Sequence, residues 1–401
     1  MTAEETSRAR ETPLALMGRI SQAISRAHSS CLDLQKAEGH WVFELEADTT
    51  IPSEYILLQR FLHRELSAGF RGRVGNYLRR RQLPGGGWPL YEGGPADISA
   101  SVKSYFALKI LGDPPRAPHM ARARKCVRRL GGAARVNVFT RITLALFGQV
   151  PWRLAPAMLV EIVFLPRWFF FHLYKVSYWS RTVIVPLLIL YARQPVCPVR
   201  PEEGVGELFL TPPDELSHLD RVVPSNGVKK LFILLDRMLK RVDSMIPRPI
   251  REAAVRRAET WTLERMRGQG GIGAIFPAMA NAVMALRVLG YPRDHADYLR
   301  GVQALDDLLV VGEAEAYCQP CVSPVWDTCL TLSALMESGF PSRDEVVSKG
   351  VQWLFRQQVL QKGDWAYRAP NLLPGGWAFQ FENTFYPDVD DTAVVLMALF
   401  L

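Results

Sequence analysis

Three times in this 401-residue chain a Gln is followed closely by Gly-x-Trp: Gln35–Gly39–Trp41, Gln82–Gly86–Trp88 and Gln358–Gly363–Trp365. Arg26-Ala27 precedes the first, Arg73 with Tyr77-Leu78 the second, and Lys349-Gly350 with Trp353-Leu354 the third. A recurring unit of this kind means that no copy buries its apolar face alone, so neighbours must stack. The physical reading is a helix that ends at the Gln, a turn at the Gly, and a Trp at the start of the next element. There the Gln amide can cap exposed N–H groups of the next helix while the indole packs over the junction. Weaker echoes occur at Arg257-Ala258 with Trp261 and at Arg300-Gly301 with Leu305. Units tied end to end in this way predict an all-α helical toroid.

The rest of the chain agrees with helices. Ala100–Leu111, Asn281–Leu289, Asp327–Met336 and Val351–Val359 each read as a helix with one apolar stripe. Gly112, Gly290 before Pro292, and Gly339 before Pro341 are stop signals. The stretch from about Pro195 to Asn226, rich in Pro, Glu and Asp, reads as an irregular surface loop. With 48% hydrophobic and 22% charged residues, the chain is globular along most of its length.

Cys31, Cys126, Cys197, Cys318, Cys321 and Cys329 are too scattered for a disulfide framework. Cys318 and Cys321 form a lone CxxC without a second pair, so these and Cys329 read as buried thiols rather than a zinc site. The first 30 residues mix Glu and Arg and do not read as a signal peptide. The apolar runs Thr182–Ala192 and Trp168–Tyr174 are too short to span a bilayer and are flanked by Arg181, Arg193, Arg167 and Lys175.

The sharpest chemical signal is Pro387-Asp388-Val389-Asp390-Asp391-Thr392-Ala393, ahead of an apolar run. Three carboxylates within four residues repel, which raises at least one pKa and lets one acid keep its proton at neutral pH. A protonated carboxyl facing a dry apolar cavity is a general acid. The same residues also fit a plain helix start, with Asp388 as N-cap and Asp391 completing a D-x-x-D pattern.

The Asp cluster follows Pro374-Gly375-Gly376-Trp377-Ala378-Phe379-Gln380, and the chain also carries Ser323-Pro324-Val325-Trp326-Asp327-Thr328. Together with the Gln…Gly-x-Trp units, these motifs resemble the squalene–hopene cyclases from Arg26 to Leu401. The resemblance implies two α/α barrels: an N-terminal segment (1–50) shared with the catalytic barrel that starts at 321–401, and an inserted barrel at 51–320. It implies that the chain is a fragment, inactive alone, with an incomplete catalytic barrel. Asp390 would protonate a terminal alkene of squalene, supported by Asp388 and Asp391. Trp326, Phe379 and Trp179 would line the cavity, and Glu54 would match a carboxylate near the acid. Aromatic faces stabilise carbocations without reacting with them, most strongly in a dry site. The product would be a hopane-type triterpene, with no cofactor and no metal. Neither Asp306-Asp307-Leu308-Leu309-Val310 nor Asp390–Val394 carries the final acid of a magnesium–diphosphate motif. The alternatives are a class II diterpene cyclase acting on a prenyl diphosphate, and a non-catalytic toroid that binds lipid.

Val228, Leu231, Leu235, Met238, Val242 and Met245 step by three and four, widened by Phe232, Leu239 and Ile246. From Val228 to Arg257 there are nine basic residues and three acidic ones, most of the chain's net +8. An apolar face flanked by Lys229 and Lys230 suits an anionic membrane surface, and equally a core-packed helix with a solvated basic face. The charge has no nucleic-acid-binding signature beside it. The resemblance favours a monotopic protein on the cytoplasmic face of a bacterial inner membrane, drawing squalene from the bilayer, and it allows a homodimer.

Overall fold

The helix stops read from the sequence are left-handed glycines. Gly112, Gly290 and Gly339 have φ of 105°, 92° and 91°, a conformation open to glycine and strained for residues with a Cβ. The computed structural model describes residues 13–216, 227–268 and 270–401, with 227–233 described through their backbone alone. Its α-helices run, in chain order, α1 Pro13–Leu34, α2 Thr50–Phe61, α3 Ala68–Arg80, α4 Ile98–Leu111, α5 Pro118–Arg129, α6 Val138–Leu146 and α7 Tyr178–Arg193. They continue with α8 Gly227–Met245, α9 Arg248–Arg265, α10 Phe276–Val288, α11 Ala296–Asp306, α12 Pro324–Glu337, α13 Glu345–Arg356 and α14 Val389–Phe400. Two short antiparallel pairs, β1 Trp88–Pro89 with β2 Ala96–Asp97 and β3 Leu309–Val311 with β4 Ala316–Cys318, are the strands among the described residues. The protein is all-α.

The chain divides into two compact units. One holds Met1–Phe43 and Ser323–Leu401, the other Glu44–Val322. In the second unit the expectation of one apolar stripe fails for α4 and α10. Every residue from Ser99 to Lys109 in α4 is buried, as are nine residues of α10. A helix surrounded by others needs small or apolar side chains on all faces, and α4 obtains this with Ser99, Ser101 and Ser104. Its two lysines are buried only because each has an acid: Lys103 pairs with Glu54 at 2.5 Å and Lys109 with Glu207 at 2.7 Å. Glu207 lies in the segment read as an irregular loop, which contains 3₁₀ turns at Pro201–Glu203 and Gly206–Leu208.

The repeats have a common geometry that differs from the expected one. Gln35 donates through Nε2 to the carbonyls of Gly39 (2.8 Å) and Val346 (2.9 Å), and Gln82 to those of Gly86 and His119 (both 2.9 Å). The amide therefore serves carbonyls in the turn and in the first turn of a neighbouring helix, not N–H groups. Each indole N–H points back at its own preceding helix: Trp41 to the Cys31 carbonyl and Trp88 to the Leu78 carbonyl, both at 2.7 Å. A Cβ on Gly39 or Gly86 would run into the Lys349 or Arg122 carbonyl, and both glycines have positive φ. In the third unit the Trp is Trp377, not Trp365. Gln358 donates to the Gly375 carbonyl (2.7 Å) and Trp377 to the Leu354 carbonyl (2.7 Å). The residues between, including a 3₁₀ turn at Asp364–Tyr367, are an insertion into the turn, and Gly363-x-Trp365 imitates the motif inside it. Trp41, Trp353 and Trp377 are all buried in the core of this first unit.

Candidate active site

The Asp cluster is placed by the third repeat. Trp377 bridges to Asp388 in an antiparallel pair, and the Trp377 N–H donates to Thr392 Oγ1 at 3.0 Å. Asp388 caps α14, accepting the Asp391 N–H at 2.8 Å. The second repeat has the same construction without the chemistry. Trp88 pairs with Asp97, Asp97 accepts the Ala100 N–H at 2.8 Å, and Trp88 N–H donates to Ser101 Oγ at 2.9 Å. Asp388 and Thr392 thus occupy the places of Asp97 and Ser101, so the fold itself calls for both. Asp390 and Asp391 occupy the places of Ser99 and Ala100, where the fold asks for no carboxylate.

These two extra acids have opposite environments. Asp391 is 2% exposed and Asp390 is exposed. Burial pushes the Asp391 carboxyl up to about 9, aided by its hydrogen bond to the Asp388 carboxylate and by the charges of Asp388 and Asp390. Its Oδ1 is buried with no hydrogen-bond partner among the described residues. The N-cap reading therefore holds for Asp388, while Asp391 does not return a cap: the Asp388 N–H goes to the Trp377 carbonyl at 3.0 Å. The arrangement is a buried neutral carboxyl bonded to one carboxylate, with a second carboxylate beside it at the surface. It can hold a proton at neutral pH and pass it along the cluster.

α14 packs on α12, which starts at the Ser-Pro-Val-Trp-Asp-Thr motif. Asp327 there accepts the Phe43 N–H (2.9 Å) and the Ser323 hydroxyl (3.1 Å), and burial raises its pKa. One residue further, Thr328 Oγ1 accepts the Trp41 N–H at 3.1 Å. Cys329 is buried, and burial pushes its thiol up to about 12. Cys318 is buried and Cys321 half-buried, and neither is in a disulfide. Trp326 and Phe379 are half-buried in this first unit. Asp327 was visible in the sequence as part of its motif, but its role as a half-buried acceptor was not.

Trp179 and Glu54 belong to the second unit. Trp179 is half-buried on α7. Glu54 lines a cavity of about 330 Å³ whose walls include Leu57, Phe61, Phe147, Phe276 and Met284. Its carboxylate is ion-paired there with Lys103, a partner that the sequence signalled only as a lysine in the middle of an otherwise small and apolar helix. Of the proposed membrane face, Leu235 is half-buried and Met238 exposed; the side chains of Lys229, Lys230, Leu231 and Phe232 lie outside the described residues. The exposed stripe of α8 runs through Leu234, Met238, Val242 and Met245, one position off the expected one at its start. Among the described residues no helix is long and apolar enough to cross a membrane.

Family models of the squalene-hopene cyclase N-terminal and C-terminal domains match residues 24–314 and 322–400. Among curated relatives, a probable squalene–hopene cyclase of Sinorhizobium fredii is 47% identical over 95% of this chain and 59% of its own length. The squalene–hopene cyclases of Bradyrhizobium diazoefficiens and Zymomonas mobilis are 45% and 46% identical, over 98% and 100% of this chain and 60% and 61% of their own. The chain thus spans about three-fifths of the length of these relatives. With both family domains matched and the Asp cluster seated on the third repeat, the chain belongs to the squalene–hopene cyclase family.

Proposed function

We propose that this chain is the larger part of an enzyme that protonates squalene and cyclises it to a hopane-type pentacyclic triterpene. The observation that carries the reading is the pair of carboxylates, Asp390 and Asp391, added to a helix start whose capping needs Asp388 and Thr392 already meet. Asp390 is the acid facing the alkene. Asp391 and Asp388 hold the proton and return it, a buried neutral carboxyl being the donor that recharges its exposed neighbour. Adding the proton to a terminal alkene leaves a tertiary carbocation, and each ring closure moves that charge along the chain until a proton is lost. Trp326, Phe379 and Trp179 offer π faces to the migrating charge. The Glu54 carboxylate, neutralised by Lys103, is a poor trap for a cation.

In this reading the two units are parts of two α/α barrels, 51–320 forming the inserted one. The exposed stripe of α8 rests on a cytoplasmic membrane surface, from which squalene enters. The prenyl-diphosphate alternative has less behind it, since Lys103, the cation lining the cavity, already faces Glu54. The decisive experiment uses the full-length protein with squalene. Asp390→Asn should lower triterpene formation by at least ~10³-fold, in line with loss of a general acid, with the melting temperature unchanged. A variant that keeps its activity would sink the reading.

A further inference from the structure

Among the described residues, the longest exposed aromatic run lies outside both the Asp cluster and α8. Trp168, Phe170 and Phe171 are 78%, 77% and 54% exposed, whereas large aromatics normally bury most of their surface. The run is held in place: Phe169 N–H bonds to the Pro166 carbonyl (2.9 Å), His172 N–H to Phe169 (3.1 Å) and Lys175 N–H to His172 (2.9 Å). Leu173 is buried beneath it, and Arg181 stacks on Tyr174 at 4.5 Å. The rings are therefore presented outward by consecutive turns. Around them stand exposed cations: Arg167, Lys175 and Arg257 all act on His172, and Arg257 lies over the ring of Phe164, itself exposed, at 5.7 Å. The nearby Glu161 is taken up by Arg251 at 3.1 Å.

We propose that Trp168, Phe170 and Phe171 form a second membrane contact, a wedge that enters the headgroup region of an anionic bilayer. It rests on the membrane reading of α8 given above. The occupant follows from the chemistry. Trp and Phe with basic flanks match the polar–apolar boundary of a lipid leaflet, where rings sit among headgroups and Arg or Lys meets phosphate. The chain that leads to the wedge is also anchored on α8. The segment leading into it is bonded to that helix, with Ala157 N–H on Asp236 (2.7 Å) and Lys240 on the Arg153 carbonyl (2.8 Å).

Flotation of this chain with phosphatidylcholine vesicles, with and without phosphatidylglycerol, tests the wedge. The variant Trp168→Ser/Phe170→Ser/Phe171→Ser should lose at least ~10-fold in affinity for both vesicle types, because apolar insertion does not depend on lipid charge. The α8 variant Arg237→Glu/Arg241→Glu should lose only the gain from phosphatidylglycerol. If the triple variant floats like the parent, the wedge is wrong while the α8 reading stands; if the parent floats with neither vesicle, both fail. Should the triple variant unfold, bromolipid quenching of tryptophan decides the matter. Trp168→Phe should remove a large part of the quenching, and unchanged quenching overturns the proposal. Loss of self-association in the triple variant, with lipid binding intact, would identify a second copy as the occupant and also overturn it.

Discussion

Asp391 and Ala100 stand at equivalent places on two helix starts, and only one of them has to be protonated to be there. A free Asp ionises near pH 4, whereas Asp391, buried against the Asp388 carboxylate, is pushed up to about 9. Between those values the folded protein holds a proton that the unfolded chain has lost. Stability attributable to this residue therefore falls as pH rises, by up to about 1.4 kcal/mol per pH unit across that window. Asp391→Asn removes the dependence. The melting temperature of the variant should rise relative to the parent, with a gap that widens from pH 5 to pH 8. An equal gap at both pH values would show that Asp391 does not store the proton. Crowding of three acids was legible from spacing alone, and it predicted one raised pKa. Which acid is raised was not, because Asp390 and Asp391 differ only in the direction each faces from the first turn of α14.

At the scale of elements, the Gln–Gly–Trp unit was legible wherever its turn is short. Gln35 with Trp41 and Gln82 with Trp88 each lie six residues apart, and both make the same set of bonds. The third unit hid its Trp nineteen residues beyond Gln358, since pattern spacing cannot see through an insertion. The reason the geometry survives is that the turn is closed by carbonyl acceptors on fixed helix ends, which leaves the intervening loop free to lengthen. The two candidate tryptophans can be separated by stability. Trp377→Phe should cost about 2–3 kcal/mol, from the lost bond to the Leu354 carbonyl and the lost volume in a packed core. Trp365→Phe should cost under about 0.5 kcal/mol, because its Nε1 has no hydrogen-bond partner among the described residues. Urea titration of both variants checks this, and equal losses would return Trp365 to the repeat. The all-round burial of α4 was harder to read, since its three serines and two lysines are polar residues of the kind solvent usually meets. Only Glu54 and Glu207, the partners of the two lysines, let those positions be interior ones.

At the scale of the molecule, α14 shows one face to the core and leaves another bare. Val395 and Ala398 are buried beside Trp377, while Leu396, Met397 and Phe400 are exposed, Phe400 to 92%. Apolar residues on consecutive turns of one helix are seldom left to water in a protein that works as a monomer. The chain spans only about three-fifths of the length of the curated relatives. The same pair of substitutions should therefore act oppositely in two contexts. In this chain, Met397→Lys/Phe400→Glu should reduce self-association, seen by analytical ultracentrifugation, with little change in melting temperature. In a chain of the relatives' length it should destabilise by several kcal/mol, because an ion pair would then have to be desolvated where apolar side chains had packed. If the pair is harmless in the long chain, α14 faces solvent there too, and the Asp cluster at its head opens onto water rather than onto the dry cavity that protonation of an alkene requires.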